Sequence, residues 1–114
     1  MKRWACWALV GAVLVAAACA DPATAPSEGT EIEVGDDFYR SNHATVFADE
    51  QVTWRWTGSN QHNVTFDDAS LGASPTQSSG TYVRTFAGAQ SGENFTYYCT
   101  VHGRQVMSGI IAIR

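Results

Sequence analysis

Gln51-Val52-Thr53-Trp54-Arg55-Trp56 alternates polar and apolar side chains without a break. With a period of two, Val52, Trp54 and Trp56 fall on one side of an extended chain and Gln51, Thr53 and Arg55 on the other. The segment therefore reads as a strand with one buried face. Runs of β-branched and aromatic residues recur at 31–34, 44–47, 62–66, 81–86, 94–99 and 108–113. Between them lie turn formers: Gly35-Asp36-Asp37, Gly58-Ser59-Asn60, residues 67–80 and residues 88–94. About seven short strands with regular turns predict an all-β chain folded as an antiparallel β-sandwich. No segment shows helical periodicity, although residues 67–78 leave room for one short turn. A sandwich this small buries a modest core, so its tryptophans and any bound metal matter to its stability.

The N-terminus has a different character. Lys2 and Arg3 precede an apolar run over residues 4–18, and Asp21-Pro22 ends it, which is the layout of an export signal. Fifteen apolar residues are short for a membrane span. The run ends in Ala16-Ala17-Ala18-Cys19, which resembles a bacterial lipobox, with Ala16 standing where many such boxes carry Leu. The expected outcome is removal of residues 1–18 and lipidation of Cys19; ordinary cleavage after Ala18 or Ala20 is the alternative. Residues 19–30 contain two prolines and no large apolar side chain, so they read as a flexible tether to a domain over residues 31–114.

Export changes the arithmetic of charge and sulfur. The whole chain has seven Lys/Arg and eleven Asp/Glu; losing Lys2 and Arg3 leaves five against eleven, a net charge near −6. That disfavours nucleic acid as a partner and favours one with a positive docking surface. Cys6 leaves with the signal and Cys19 is capped by lipid, so the exported domain keeps one free thiol, Cys99. In an oxidising compartment a thiol usually pairs or oxidises, and metal ligation is one of the few things that protects it.

Cys99 opens a run of donors. Tyr98-Cys99-Thr100-Val101-His102-Gly103-Arg104-Gln105-Val106-Met107 offers a thiolate, an imidazole and a thioether with the spacing Cys-x2-His-x4-Met. His62 supplies a second imidazole from another strand. Two imidazoles, one thiolate and a distant thioether form the donor combination that suits copper in an electron-transfer site. Met107 read by itself fits a core residue equally well, and an axial position can also be taken by a backbone oxygen or a glutamine. His43 has no matching partner and reads as a structural or exposed histidine.

The chain resembles the cupredoxins of the plastocyanin family, small blue copper proteins. Three pieces carry the likeness: Val52-Thr53-Trp54-Arg55-Trp56; His62-Asn63-Val64-Thr65-Phe66-Asp67-Asp68; and Tyr97-Tyr98-Cys99-Thr100-Val101-His102 through Met107 to Ser108-Gly109-Ile110-Ile111. The Cys-x2-His-x4-Met spacing is that of plastocyanins, whereas amicyanin and azurin relatives use other loop lengths. The resemblance implies a Greek-key sandwich holding one copper ion through His62, Cys99 and His102, with Met107 as a weak axial ligand. It implies that Asn63 ties its segment to the cysteine loop through Thr100. It also implies an electron-transfer surface at the edge of His102 and at Tyr98, with Asp67 and Asp68 as thin support for an acidic patch. One departure stands out: a Phe-x-Pro segment of the family is replaced by Phe38-Tyr39-Arg40-Ser41-Asn42-His43, without the proline.

These features predict a monomeric, non-enzymatic carrier of single electrons, periplasmic or on the cell surface, meeting redox proteins and touching a membrane only through its lipid. A copper chaperone or scavenger is the alternative, though only Met1 and Met107 are present where many such proteins carry Met- or His-rich tracts. Multicopper enzymes need several more histidines than the single remaining His43 supplies.

Overall fold

The computed structural model describes residues 29–114. The expected export signal (1–18), the lipidation candidate Cys19 and tether residues 20–28 lie outside the described residues. The strands are β1 (Thr30–Gly35), β2 (Phe38–Arg40), β3 (His43–Val46), β4 (Val52–Trp56), β5 (Thr65–Phe66), β6 (Thr81–Arg84), β7 (Asn94–Tyr98) and β8 (Ser108–Ile113). Among the described residues a single 3-10 turn, Ala69–Leu71, falls where the sequence left room for one, and the Asp68 side chain caps it by accepting from the Ser70 N–H. The strands form two four-stranded sheets, in the orders β2-β1-β4-β6 and β3-β8-β7-β5.

The sandwich is all-β as expected, but its sheets are mixed and not wholly antiparallel. β1 runs parallel to β4, with Ile32 opposite Trp54, and β3 runs parallel to β8, with Ala44 opposite Ile111. A period of two tells which face a strand buries and is silent on the direction of its neighbour. Direction is set here by the chain crossing from one sheet to the other after β2 and returning for β4. β2 was not expected either; three residues joined to β1 by a two-residue turn, with Gly35 opposite Phe38, leave little periodic signal.

The alternation in β4 is realised in full: Val52, Trp54 and Trp56 are buried while Arg55 faces solvent. Trp54 is the hub between the sheets. Its ring stands edge-on to Tyr97 of β7 at 5.4 Å and to Phe66 of β5 at 5.9 Å, and Tyr39 of β2 meets Tyr97 edge-on at 4.9 Å. Each such pair contributes roughly 0.5–1.5 kcal/mol beyond the area it buries. The Tyr97 hydroxyl and the Trp54 indole N–H are buried without a hydrogen-bond partner. Burial pushes the Tyr97 phenol above its ordinary pKa, and the nearby indole N–H, short of hydrogen-bond geometry, offsets part of that rise.

The pairing also decides where the loops gather. Val34 lies opposite Trp56 in a parallel pair, so β1 and β4 both leave their sheet at one end. β7 ends at Tyr98 opposite Ser108, where β8 begins, so residues 99–107 close a loop between these two strands.

Close packing leaves no room at Gly109. It sits opposite Tyr97, and a Cβ there would lie 2.4 Å from the tyrosine Cζ and Oη and 2.9 Å from the Asn42 carbonyl oxygen. Gly109→Ala is therefore expected to cost about 1–3 kcal/mol, the range for overpacking. Denaturant melts of the single variant and of Gly109→Ala combined with Tyr97→Leu check this, the penalty shrinking in the Tyr97→Leu background; equal penalties in both would contradict the contact.

Candidate metal centre

Cys99 follows directly after β7 and is wholly buried. Its N–H donates to the Met107 carbonyl at 3.0 Å, its carbonyl accepts from Gly103 N–H at 2.8 Å, and Met107 N–H donates to the Gly103 carbonyl at 3.0 Å. The loop is thus a closed, self-bonded unit. Gly103 turns it with φ +90°, a left-handed conformation that a side chain rarely adopts. Met107 is buried at the far end of the loop, 1% exposed.

His62 arrives from the other sheet's side of the chain. It precedes β5 and forms an isolated bridge with Gln77, through His62 N–H to Gln77 O at 2.9 Å and the reverse bond at 3.0 Å. The Trp56 indole N–H donates to the His62 carbonyl at 3.1 Å, and the Tyr39 hydroxyl donates to the Asn63 carbonyl at 2.5 Å. Tyr39 belongs to the segment that lacks the proline, and its hydroxyl anchors this stretch from within the core. Burial is the main reason the Tyr39 phenol stays protonated far above its ordinary range, with neighbouring Cys99 next.

Three side chains converge: His62, Cys99 and His102. His62 Nδ1 and His102 Nδ1 are 3.2 Å apart, and Cys99 Sγ lies 3.9 Å from the first and 3.7 Å from the second. A first-row ion bonds nitrogen at about 2.0 Å and sulfur at about 2.3 Å, so a trigonal arrangement asks for N···S near 3.7 Å and N···N near 3.5 Å. The triangle matches that need to within a few tenths of an ångström. His62 is fully buried, while the His102 side chain is 25% exposed and forms the open edge.

Asn63 ties the two halves together. Its Nδ2 donates to Thr100 Oγ1 at 2.7 Å and to Thr76 Oγ1 at 2.9 Å, while its Oδ1 accepts from Thr100 N–H at 3.0 Å and from Thr65 Oγ1 at 3.0 Å. One buried amide side chain thus serves three segments.

Two groups that the sequence reading passed over as turn formers lie behind the histidines. Asp36 Oδ1 is 2.9 Å from His62 Nε2, and Asp37 Oδ1 is 3.0 Å from His102 Nε2. The His62 contact, followed by N–H groups of Asn60 and Ser59, holds the Asp36 carboxyl down at about 2. A Gly-Asp-Asp turn resembles any hairpin turn, and nothing in its composition singles it out.

Other singled-out residues have different settings. His43 is exposed on β3, outside the cluster. Tyr98 does not present a bare ring, because the Arg104 guanidinium lies over it at 4.0 Å and pairs with Asp67 at 2.5 Å. The Thr96 hydroxyl and then Arg104 hold the Asp67 carboxyl below its usual range. Asp67 is paired with Arg104, while Asp68 caps the 3-10 turn and stays exposed at the surface.

No family model matches the sequence, and no curated protein does. Solved structures do. An oxidised amicyanin variant is 24% identical, covering 76% of this chain and 83% of its own with a TM-score of 0.64. The oxidised plastocyanin of Dryopteris crassirhizoma is 21% identical over 75% of this chain and 100% of its own, TM-score 0.64. A second oxidised amicyanin variant reaches a TM-score of 0.65 at 22% identity, covering 81% and 88%. The fold is that of the cupredoxins.

The Asn63 bridge makes a measurable demand. Asn63→Ala leaves the Thr100 N–H without its acceptor, at an expected cost of about 1–3 kcal/mol. Hydrogen exchange at the Thr100 amide should accelerate beyond what the global loss explains; unchanged protection there would show that the loop holds itself.

Proposed function

We propose that this protein is a mononuclear type 1 copper carrier that moves single electrons between redox proteins outside the cytoplasm. The observation that carries the proposal is the triangle of two Nδ1 atoms and one Sγ, buried at His62 and Cys99 and open at His102. Two imidazoles and a thiolate favour copper over the harder ions, which prefer oxygen donors. His62, Cys99 and His102 would hold the ion, with Met107 of the same loop as a further, weaker ligand, and the bound copper would supply a one-electron couple.

The chain's own residues do the rest. Hydrogen bonds from Trp56, Gln77, Asn63 and the loop's own backbone fix the three donors from outside, so a change of metal charge meets a frame that resists rearrangement. Burial of His62 and Cys99 keeps water from the thiolate, while partly exposed His102 offers a short route out. Val101 and Val106 are 52% and 59% exposed, so the loop that carries His102 also carries apolar surface. A partner with a positive surface suits the net charge near −6 left after the expected removal of Lys2 and Arg3, from eleven Asp/Glu against five Lys/Arg. The sequence over residues 1–28 supports export, lipid attachment at Cys19 and a tether that ends where Thr30 enters β1, with the domain acting as a monomer. The Arg104 guanidinium, paired with Asp67, lies over the Tyr98 ring, so the His102 edge is the more open exit and Tyr98 a covered one.

Copper titration of the full chain tests the reading. The oxidised protein should gain an intense visible thiolate-to-copper band and show reversible one-electron voltammetry. Cys99→Ser should abolish the band, and Met107→Leu should keep it while shifting the potential. Colour surviving in Cys99→Ser, or copper held only as an ion that cannot be oxidised, would contradict the proposal, the second outcome favouring a scavenger.

A further inference from the structure

We propose that the Asp36-Asp37 turn is a positioning element for both histidines and biases the centre toward its oxidised state. The inference rests on the copper reading above and deepens it. Two consecutive carboxylates reach histidines that lie forty positions apart in the chain: Asp36 Oδ1 to His62 Nε2 at 2.9 Å and Asp37 Oδ1 to His102 Nε2 at 3.0 Å.

The turn is built to hold these contacts. Asp36 also accepts from Ser59 N–H, at 3.0 and 3.1 Å to its two oxygens, and from Asn60 N–H at 3.0 Å, so its carboxylate cannot swing away. Gly58 gives it room, since a Cβ at that position would lie 2.3 Å from Asp36 Oδ1. Asp37 takes φ +71°, a conformation disfavoured for a residue with a side chain and tolerated best by Gly, Asn and Asp. A glycine would satisfy that backbone, but only a residue with an acceptor reaches His102.

The chemistry follows from what a carboxylate can do. It only accepts, so a neutral imidazole facing it carries its proton on Nε2 and turns a bare Nδ1 lone pair inward. Both histidines are thereby set as ligands before any metal arrives. A negative charge behind each imidazole also stabilises positive charge at the ion the ring would hold, and the ion of higher charge gains more from it. The one-electron equilibrium moves toward the oxidised metal.

Substitutions separate position from charge. Asparagine keeps an acceptor and removes the charge; alanine removes both. In the copper-loaded full chain, Asp36→Asn and Asp37→Asn should each shift the redox equilibrium toward the reduced ion by about tenfold, about 59 mV upward for one electron. In the metal-free full chain, nitrogen-15 imidazole spectra should show Nδ1–H tautomer appearing at His62 in Asp36→Ala and at His102 in Asp37→Ala, and Nε2–H retained in the asparagine variants. The proposal is overturned if neither alanine variant changes its histidine's tautomer, or if neither asparagine variant shifts the equilibrium upward by at least threefold. A wild-type chain that binds copper without the thiolate band would instead overturn the copper reading, while the metal-free spectra would still judge the positioning role.

Discussion

Two imidazole nitrogens and a cysteine sulfur crowded at one point are an unfavourable arrangement unless they share a proton or a cation. His62 Nδ1, His102 Nδ1 and Cys99 Sγ lie within 3.9 Å of one another, with acceptors already waiting on the outer nitrogen of each ring. The fold holds these three donor atoms together, so contacts elsewhere in the domain must keep them in place.

Several of them visibly do. The parallel pairing of β1 with β4 brings the Asp36-Asp37 turn and the stretch following Trp56 to one end of their sheet. The Trp56 indole and Tyr39 hydroxyl bind successive backbone carbonyls at His62 and Asn63. Asn63 then fastens the cysteine loop through Thr100 from the opposite side. Trp54 and Tyr97, stacked edge-on between the sheets, keep the two halves in register beneath the centre. Removing any of these contacts loosens a donor without touching the metal, which is why groups outside a metal's ligands affect its chemistry so strongly.

The sequence exposed some of this and concealed the rest for physical reasons. Alternation in residues 51–56 announced a half-buried strand because side-chain direction repeats every two residues. It could not announce that β1 and β4 are parallel, since strand direction depends on where the intervening chain crosses between sheets. Cys99, His102 and His62 stood out because their atoms bind metals, and those three residues do converge. Asp36 and Asp37 did not stand out, because an aspartate in a turn is ordinary and its significance lies in which ring it faces across the fold. Tyr98 read as outward-facing, and the cover supplied by Arg104 was invisible because their contact depends on how the loop lies against β7. Asp67 looked like an acidic surface group for the same reason, although it is committed to Arg104.

The central claim is that this triangle is a ready-made copper site in which the metal's charge can change while the frame stays put. Crystal structures of the copper-loaded protein in its oxidised and reduced states test it most directly. The account predicts copper bonded to His62 Nδ1, His102 Nδ1 and Cys99 Sγ in both states, with Asp36 and Asp37 still on the outer ring nitrogens and the backbone over residues 99–107 unmoved. Copper bonded through either Nε2, or a loop that refolds when the metal is reduced, would contradict it.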